Sequence, residues 1–304
     1  MTANPVIQTS NLNYSFRPGA KILNNINLNV PQGSVYGFLG PNGAGKTTTL
    51  RLLLGLLRNQ EGSLQIFGKD FGPNRIEILS RLGSLIESPS LYMHLSAKDN
   101  LEVYRIIFKL PKTRIDEVLK IVGLDQTGKK KAKQFSLGMK QRLSIGIALL
   151  HSPELLILDE PTNGLDPNGI IETRELIRTL NREHNTTVVV SSHILNEVER
   201  MATHVGIISK GSLVFQGPLG ELQQMKTRQT ALEIQTSDNT RALSVLAAYG
   251  KADLQPTRLV LPYQGNEQTA AIARLLVENG LDIYAIHPQQ NDLEQLFLDI
   301  TSTN

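Results

Sequence analysis

The chain has 304 residues, 40% hydrophobic and 19% charged, with a net charge of +3 and no cysteine. That length predicts about two domains, each able to bury its own core. The charge is too near neutral to call for nucleic acid by itself, and the lack of thiols excludes disulfides and thiolate metal sites and fits a reducing compartment. MTANPVIQTS has no basic stretch followed by an apolar one, so no signal peptide is expected. The apolar run LRLLLGLL (50–57) is far short of the roughly 20 residues that span a bilayer. A soluble chain is expected, with any membrane role exercised through a partner.

Two β-like runs, VIQTSNLNYSF and KILNNINLNV, precede GSVYGFLG, which leads into a glycine-rich turn and a helix. Strand, glycine turn and helix open an α/β unit. From about 97 to 151 the pattern is helical. Ser96 with Asp99, and Thr113 with Asp116, have capping-box spacing. Ile115, Val118, Leu119 and Val122 mark one helical face, and Gly123 suits its stop. LLILDE (155–160) and TTVVVSSH (186–193) read as continuous apolar strands of a parallel sheet covered on both faces. VGIISKGSLVFQG (205–217) predicts a hairpin around Lys210-Gly211.

A composition break at GELQQMKTRQT (220–230) separates an expected first domain, 1–222, from a second, 223–304. Beyond it the pattern gives a strand at 231–236, a helix at 240–249 and strands at 251–256 and 258–263. A helix at 266–279, a strand at 281–287 and a helix at 291–300 follow. The order βαββαβ predicts a small α+β, ferredoxin-like domain.

GPNGAGKTT (40–48) contains G-x-x-x-x-G-K-[ST]. The backbone of Gly40, Asn42, Gly43, Ala44, Gly45 and Thr48 can wrap a β-phosphate, because glycines allow tight turns and close approach. Lys46 reaches the β- and γ-oxygens, Thr47 offers a hydroxyl to Mg²⁺, and the following helix points its positive end at the phosphates. LLILDEP (155–161) ends a buried strand in two carboxylates, which is costly unless a cation or substrate meets them. Strand alternation points them apart, so Asp159 is expected to hold the Mg²⁺ shell and Glu160 to polarise the water attacking the γ-phosphorus. In QFSLGMKQRL (134–143), Ser136 can cap a helix from about Leu137 to Leu150 and offer a second anion site, most simply used by another subunit's ATP.

In this order, 40–48, 134–142, 155–161, NGLD (163–166) and SSH (191–193) resemble the nucleotide-binding subunit of ATP-binding cassette (ABC) transporters. The likeness covers about residues 5 to 220. It implies an α/β P-loop NTPase of ABC type, a mixed-sheet core with antiparallel β and helical subdomains, that hydrolyses ATP with Mg²⁺. It also implies a head-to-tail homodimer that sandwiches ATP between Lys46 of one copy and Ser136 of the other, driving a separately encoded permease from the inner face of the membrane. The stretches GSLIESPSLYMHLSAKDNLEVY, FSLGMKQRL and NDLEQLFLDIT resemble the bacitracin-resistance and lantibiotic-immunity exporters of the drug-efflux (ABC-2) class.

By that resemblance Tyr14 stacks on adenine, with Phe16 as the alternative. Ser136 and Gly138 of the degenerate Ser-Leu-Gly-Met signature meet the γ-phosphate, Asp166 communicates across the dimer, and His193 is the switch histidine. Glu87 stands where the family places a glutamine linking metal, water and permease, and is expected to approach Mg²⁺ when Mg-nucleotide binds. Leu91, Tyr92 and Met93, within about 87–96, are expected to line the permease groove. The run GKKKAK (128–133) reads as a solvated face with weak attraction for ATP, and nucleic acid is not an expected partner. A soluble ABC ATPase acting on ribosomes or DNA, and a regulatory ATP-binding dimer, are the competing readings. The single cassette disfavours the first, and the presence of Glu160 and His193 disfavours the second.

Overall fold

The computed structural model describes residues 5–17, 19–86, 91–228, 231–250 and 252–289. Strands β1 (Pro5–Arg17), β2 (Ala20–Ile26) and β3 (Asn29–Pro31) lead into β4 (Val35–Leu39) and helix α1 (Lys46–Leu53). Next come β5 (Glu61–Ile66), β6 (Lys69–Asp70), α2 (Phe71–Ser80) and β7 (Leu82–Leu85). Helices α3 (Ala97–Phe108), α4 (Thr113–Ile121) and α5 (Leu137–Leu149) form the helical part. The sheet is then resumed by β8 (Leu155–Leu158), α6 (Pro167–His184), β9 (Thr187–Ser192), α7 (Leu195–Glu199) and the hairpin β10 (His204–Ser209) and β11 (Ser212–Pro218).

Every residue of β4, β8 and β9 is buried, as continuous apolar runs in a sheet covered on both faces must be. They sit in a six-stranded sheet of order β11-β10-β4-β9-β8-β7, parallel except for the edge strand β11. A separate antiparallel sheet runs β2-β1-β5-β6, with β3 also on β1. One apolar core joins the two, from Ile7 and Leu23 through Phe38 and Leu50 to Ile157 and Val189. The carboxyl ends of β4, β9 and β8 therefore open side by side, where open α/β sheets place their ligands.

Ser96 makes the expected capping box with Asp99: its hydroxyl accepts from the Asp99 N–H (3.1 Å) and the Asp99 carboxylate from the Ser96 N–H (3.2 Å). Thr113 does not cap. It is the first residue of α4, whose cap position is Lys112, and Asp116 instead binds Lys98 at 2.9 Å. Here a cross-helix ion pair took the carboxylate that a local cap would have used. Gly123 has φ +63 just past α4, as a helix stop requires.

Contacts divide the chain after Leu219, where α8 (Leu219–Arg228) starts directly from the end of β11. The second unit contains β12 (Ala231–Thr236), α9 (Asn239–Val245), β13 (Asp253–Leu254), β14 (Leu259–Pro262), α10 (Asn266–Glu278) and β15 (Ile283–Gln289). Its sheet order, β13-β14-β12-β15 with every neighbour antiparallel, is that of a split βαββαβ unit. Leu232, Ile234, Leu259, Ile272 and Leu276 form its own core. Two elements are shorter than expected. β13 stops before Pro256, which has no N–H for a ladder, and α9 ends at Val245, passing into a tighter 3₁₀ turn to Tyr249. The final helix expected at 291–300 lies outside the described residues.

Candidate active site

The loop between β4 and α1 is shaped by its glycines. A Cβ on Gly40 would lie 2.4 Å from the Ile208 carbonyl oxygen, so no larger residue fits where this loop leaves the sheet. Gly45, at φ +110, occupies the cap position of α1 without a side-chain cap, and no acidic residue follows in the first turn. The first N–H groups of α1 are thus left for an anion, and the helix dipole favours one there.

The carboxylates come from the end of β8, which lies beyond β9 from β4 in the sheet. Asp159 is 6% exposed; its Oδ2 accepts from the Thr47 hydroxyl at 2.9 Å and its Oδ1 from the Ser191 hydroxyl at 2.5 Å. Strand alternation is not what separates the two acids. β8 ends at Leu158, and Glu160 adopts φ +47, a left-handed backbone that turns its side chain out of the strand. Its N–H donates to the Ser191 oxygen at 2.9 Å, its Oε2 meets His193 Nδ1 at 2.9 Å, and its Oε1 lies 3.3 Å from Lys46 Nζ. Lys46 also donates to the Gly40 carbonyl at 2.7 Å. These groups surround a cavity of about 330 Å³ lined by Ile22, Asn42, Gly43, Gly45, Lys46, Thr47, Thr48, Glu160, Asn163 and His193. A larger cavity of about 830 Å³ beside Leu56 and Phe71 contains Arg58, Asp70 and Arg75 but neither a phosphate loop nor a strand-end carboxylate pair.

Several expected residues stand elsewhere. Tyr14 is a correction: at 8% exposure it is a core residue, because its position on β1 faces inward. The accessible ring is that of Phe16, 57% exposed and edge-on to Tyr14 at 5.0 Å. Ser136 caps α5, accepting from the Met139 N–H at 3.2 Å, and Gly138 is buried in its first turn. Asp166 caps α6 by accepting from the Gly169 N–H at 3.2 Å. Neither Ser136, Gly138 nor Asp166 lines the cavity among the described residues of one copy. Glu87 lies outside the described residues.

Five participants escaped the sequence reading. Ser191 ties the two carboxylate positions together, and the quoted SSH motif held the clue. Asn163 and Ile22 reach the cavity wall from the loop after Glu160 and from β2. Thr162 donates to the carboxylate of Glu197 on α7, which joins the segment between Glu160 and Asp166 to the helix after His193. No spacing signal marks that pair.

A buried lysine and helix N-terminus for phosphate, a hydroxyl and carboxylate on one side, and a histidine-backed glutamate on the other suit phosphoryl transfer to water. Residues 23–163 match the ABC transporter family. The chain is 45% identical to the bacitracin transport ATP-binding protein BcrA of Bacillus licheniformis over 299 residues, 97% of each chain. It is 48% identical to the lantibiotic transport ATP-binding protein SrtF of Streptococcus pyogenes over 195 residues, 64% of this chain and 83% of that one. Among solved structures, cbiO1 of Clostridium perfringens, part of the ABC transporter complex cbiONQ, has a TM-score of 0.67 at 27% identity, covering 74% of this chain and 96% of its own. A dimeric ATP-binding cassette in a post-hydrolysis state with ADP and Pi has a TM-score of 0.62 at 26% identity, covering 70% of this chain and 98% of its own.

Proposed function

Because the chain belongs to the ABC transporter family as an ATP-binding ATPase, we propose that it powers a separately encoded membrane permease that exports a peptide antibiotic or related drug. The convergence of Lys46, Thr47, Glu160 and His193 on one cavity, with Asp159 bonded to Thr47 behind it, supports the ATPase half of this reading. The bacitracin and lantibiotic transport proteins it resembles support the cargo class. Among the described residues no helix is long and apolar enough to cross a membrane, so the permease supplies the path. The chain works on the inner face of that membrane.

Lys46 binds ATP by exchanging the Gly40 carbonyl and Glu160 for β- and γ-phosphate oxygens. That exchange frees Glu160 to accept a proton from the attacking water, with His193 holding its other oxygen. Thr47 and Asp159 fit Mg²⁺, since a hydroxyl and a carboxylate oxygen 2.9 Å apart are the hard donors that this ion takes. When bound, the ion neutralises phosphate charge. Glu87 would add a further carboxylate for the same ion, and Phe16, rather than the buried Tyr14, stacks on adenine. A second copy brings Ser136 and Gly138 over the γ-phosphate, and Asp166 lines the seam between copies. Leu91, Tyr92 and Met93 receive a permease segment.

Glu160→Gln tests the sandwich. It keeps the backbone and the contact to His193, so it should form a stable dimer with ATP by size-exclusion chromatography while turnover falls by about a hundredfold or more. A variant that binds ATP and remains monomeric rules the sandwich out. Co-purification from membranes with a polytopic protein tests the permease.

A further inference from the structure

The lysine run at 128–133 folds against the very loop that the proposed function gives to the permease. Lys133 N–H donates to the Met93 carbonyl at 2.9 Å, Ala132 N–H to the Leu95 carbonyl at 2.8 Å, and Lys131 bridges to Ser96. Ala132 is fully buried and Phe135 is 4% exposed, so the apolar residues of this segment anchor it while its lysines stay outside. Lys129, Lys130 and Lys133 are exposed, and among the described residues none of them has an ion-pair partner. The acids nearby are already engaged. Asp116 holds Lys98, and the Asp99 carboxyl is kept below its ordinary pKa first by the Ser96 hydroxyl, with Lys131 adding a smaller pull. On the loop that this segment pairs with, Tyr92 is 46% and Met93 41% exposed, and His94 stands edge-on to the tyrosine at 6.3 Å.

Three lysines without ion-pair partners among the described residues, of which Lys130 also lies 5.9 Å from the centroid of the Phe135 ring, make a basic surface on the segment paired with the Tyr92–Met93 loop. A protein partner is the weaker fit for the lysines themselves, because protein interfaces favour arginine and are depleted in lysine, and GKKKAK contains no arginine. Single-stranded nucleic acid would call for aromatics interleaved along the run to stack on bases, and none is present. Lysine clusters do fit the negative leaflet of a membrane.

We propose that Lys129, Lys130 and Lys133 bind the phosphate headgroups of anionic lipids next to the permease. The inference rests on the permease reading only for what brings this surface to a membrane. Each lysine adds roughly fivefold to the partition onto an anionic surface, so the three together give about a hundredfold. The contact would hold the ATPase at the bilayer through cycles of its engagement with the permease.

The test uses the full chain and vesicles of phosphatidylcholine alone or with about one third phosphatidylglycerol, read by co-sedimentation without any permease. Binding should require phosphatidylglycerol, weaken as salt rises, and fall about a hundredfold in the triple variant Lys129→Gln, Lys130→Gln, Lys133→Gln. At saturating ATP, where any weak attraction of these lysines for the nucleotide no longer counts, the ATPase rate of that variant should be unchanged. A control triple of equal charge, Lys21→Gln, Lys112→Gln, Lys120→Gln, should bind as the parent does. Equal loss in both triples reduces the effect to net charge and overturns the proposal. So does equal binding to phosphatidylcholine alone, or retention of poly(U) RNA in place of phosphatidylglycerol vesicles. None of these failures touches the permease reading, which co-purification decides separately.

Discussion

His151 shows how one side chain can carry a pH dependence away from the reaction. It follows α5, stacks on Phe108 with ring centroids 4.8 Å apart, and places Nε2 3.0 Å from the Leu82 carbonyl. That contact assigns the neutral Nε2–H tautomer, and Nδ1 is buried with no partner. Burial pulls the pKa of this imidazole down, the bond to Leu82 opposes the shift, and Arg114 adds to it. The folded state therefore prefers the neutral ring. Its contribution is complete above the unfolded value of about 6.5 and is lost as pH falls through the lowered folded value. The melting temperature should fall as the pH drops below the unfolded value of about 6.5. His151→Gln, which can still donate to Leu82 but does not titrate, should show a shallower dependence by circular dichroism. Equal slopes in the two proteins would remove His151 as the cause. At this scale Lys46, Thr47 and Glu160 were legible because phosphate chemistry demands fixed types at fixed spacings, whereas Ile22 and Asn163, which only line the wall, were not. Tyr14 was not, because spacing counts residues and does not say which face of β1 looks inward. The pairing of Thr162 with Glu197 was invisible for a related reason: it depends on where α7 lands.

Among the elements, the β10–β11 hairpin does more than close the sheet. Lys210 has φ +45 and Gly211 φ +78, a two-residue turn whose twist suits the hairpin. The Gly211 N–H donates to the Ala44 carbonyl of the phosphate loop at 3.0 Å, and its carbonyl accepts from Asn24 at 2.8 Å. A Cβ on Gly211 would lie 2.2 Å from the Ile22 carbonyl oxygen, and Ile22 lines the cavity. Gly211→Ala should cost about 2 kcal/mol or more, from left-handed strain and from the clash together, and should weaken ATP binding. Urea unfolding and an ATP titration check this. Lost stability with unchanged ATP affinity would disconnect the turn from the loop. Lys-Gly between two apolar runs made the hairpin readable in the sequence. Its grip on residue 44 was not, since backbone hydrogen bonds across the fold leave no mark on side-chain pattern. Thr113 and Pro256 teach the complementary lesson, that a local motif yields to a tertiary ion pair or to a missing N–H.

On the scale of the whole molecule, the two units have separate cores, and the phosphate loop, both strand-end acids and the histidine all belong to the first. The second unit holds a buried Glu233 with Arg258 at 2.8 Å and His287 at 3.6 Å, an ionic cluster within its own sheet. A chain ended after Arg228 keeps α8 and should bind ATP with the affinity of the full chain, measured by calorimetry. Lost binding would show that the second unit completes the site. The split βαββαβ order was legible because alternating and helical periods succeed one another cleanly there. The break between units was nearly so, α8 blurring it by continuing from β11 without a loop.

The left-handed backbone at Glu160 has a consequence for how such a chain can evolve. Glycine would occupy that conformation more comfortably than any side-chain-bearing residue. Selection for heat resistance at this position would thus set backbone relief against the loss of the carboxylate's contacts with the buried Lys46 and with His193. Activity must be selected in its own right at this position, generation after generation, against the grain of the backbone.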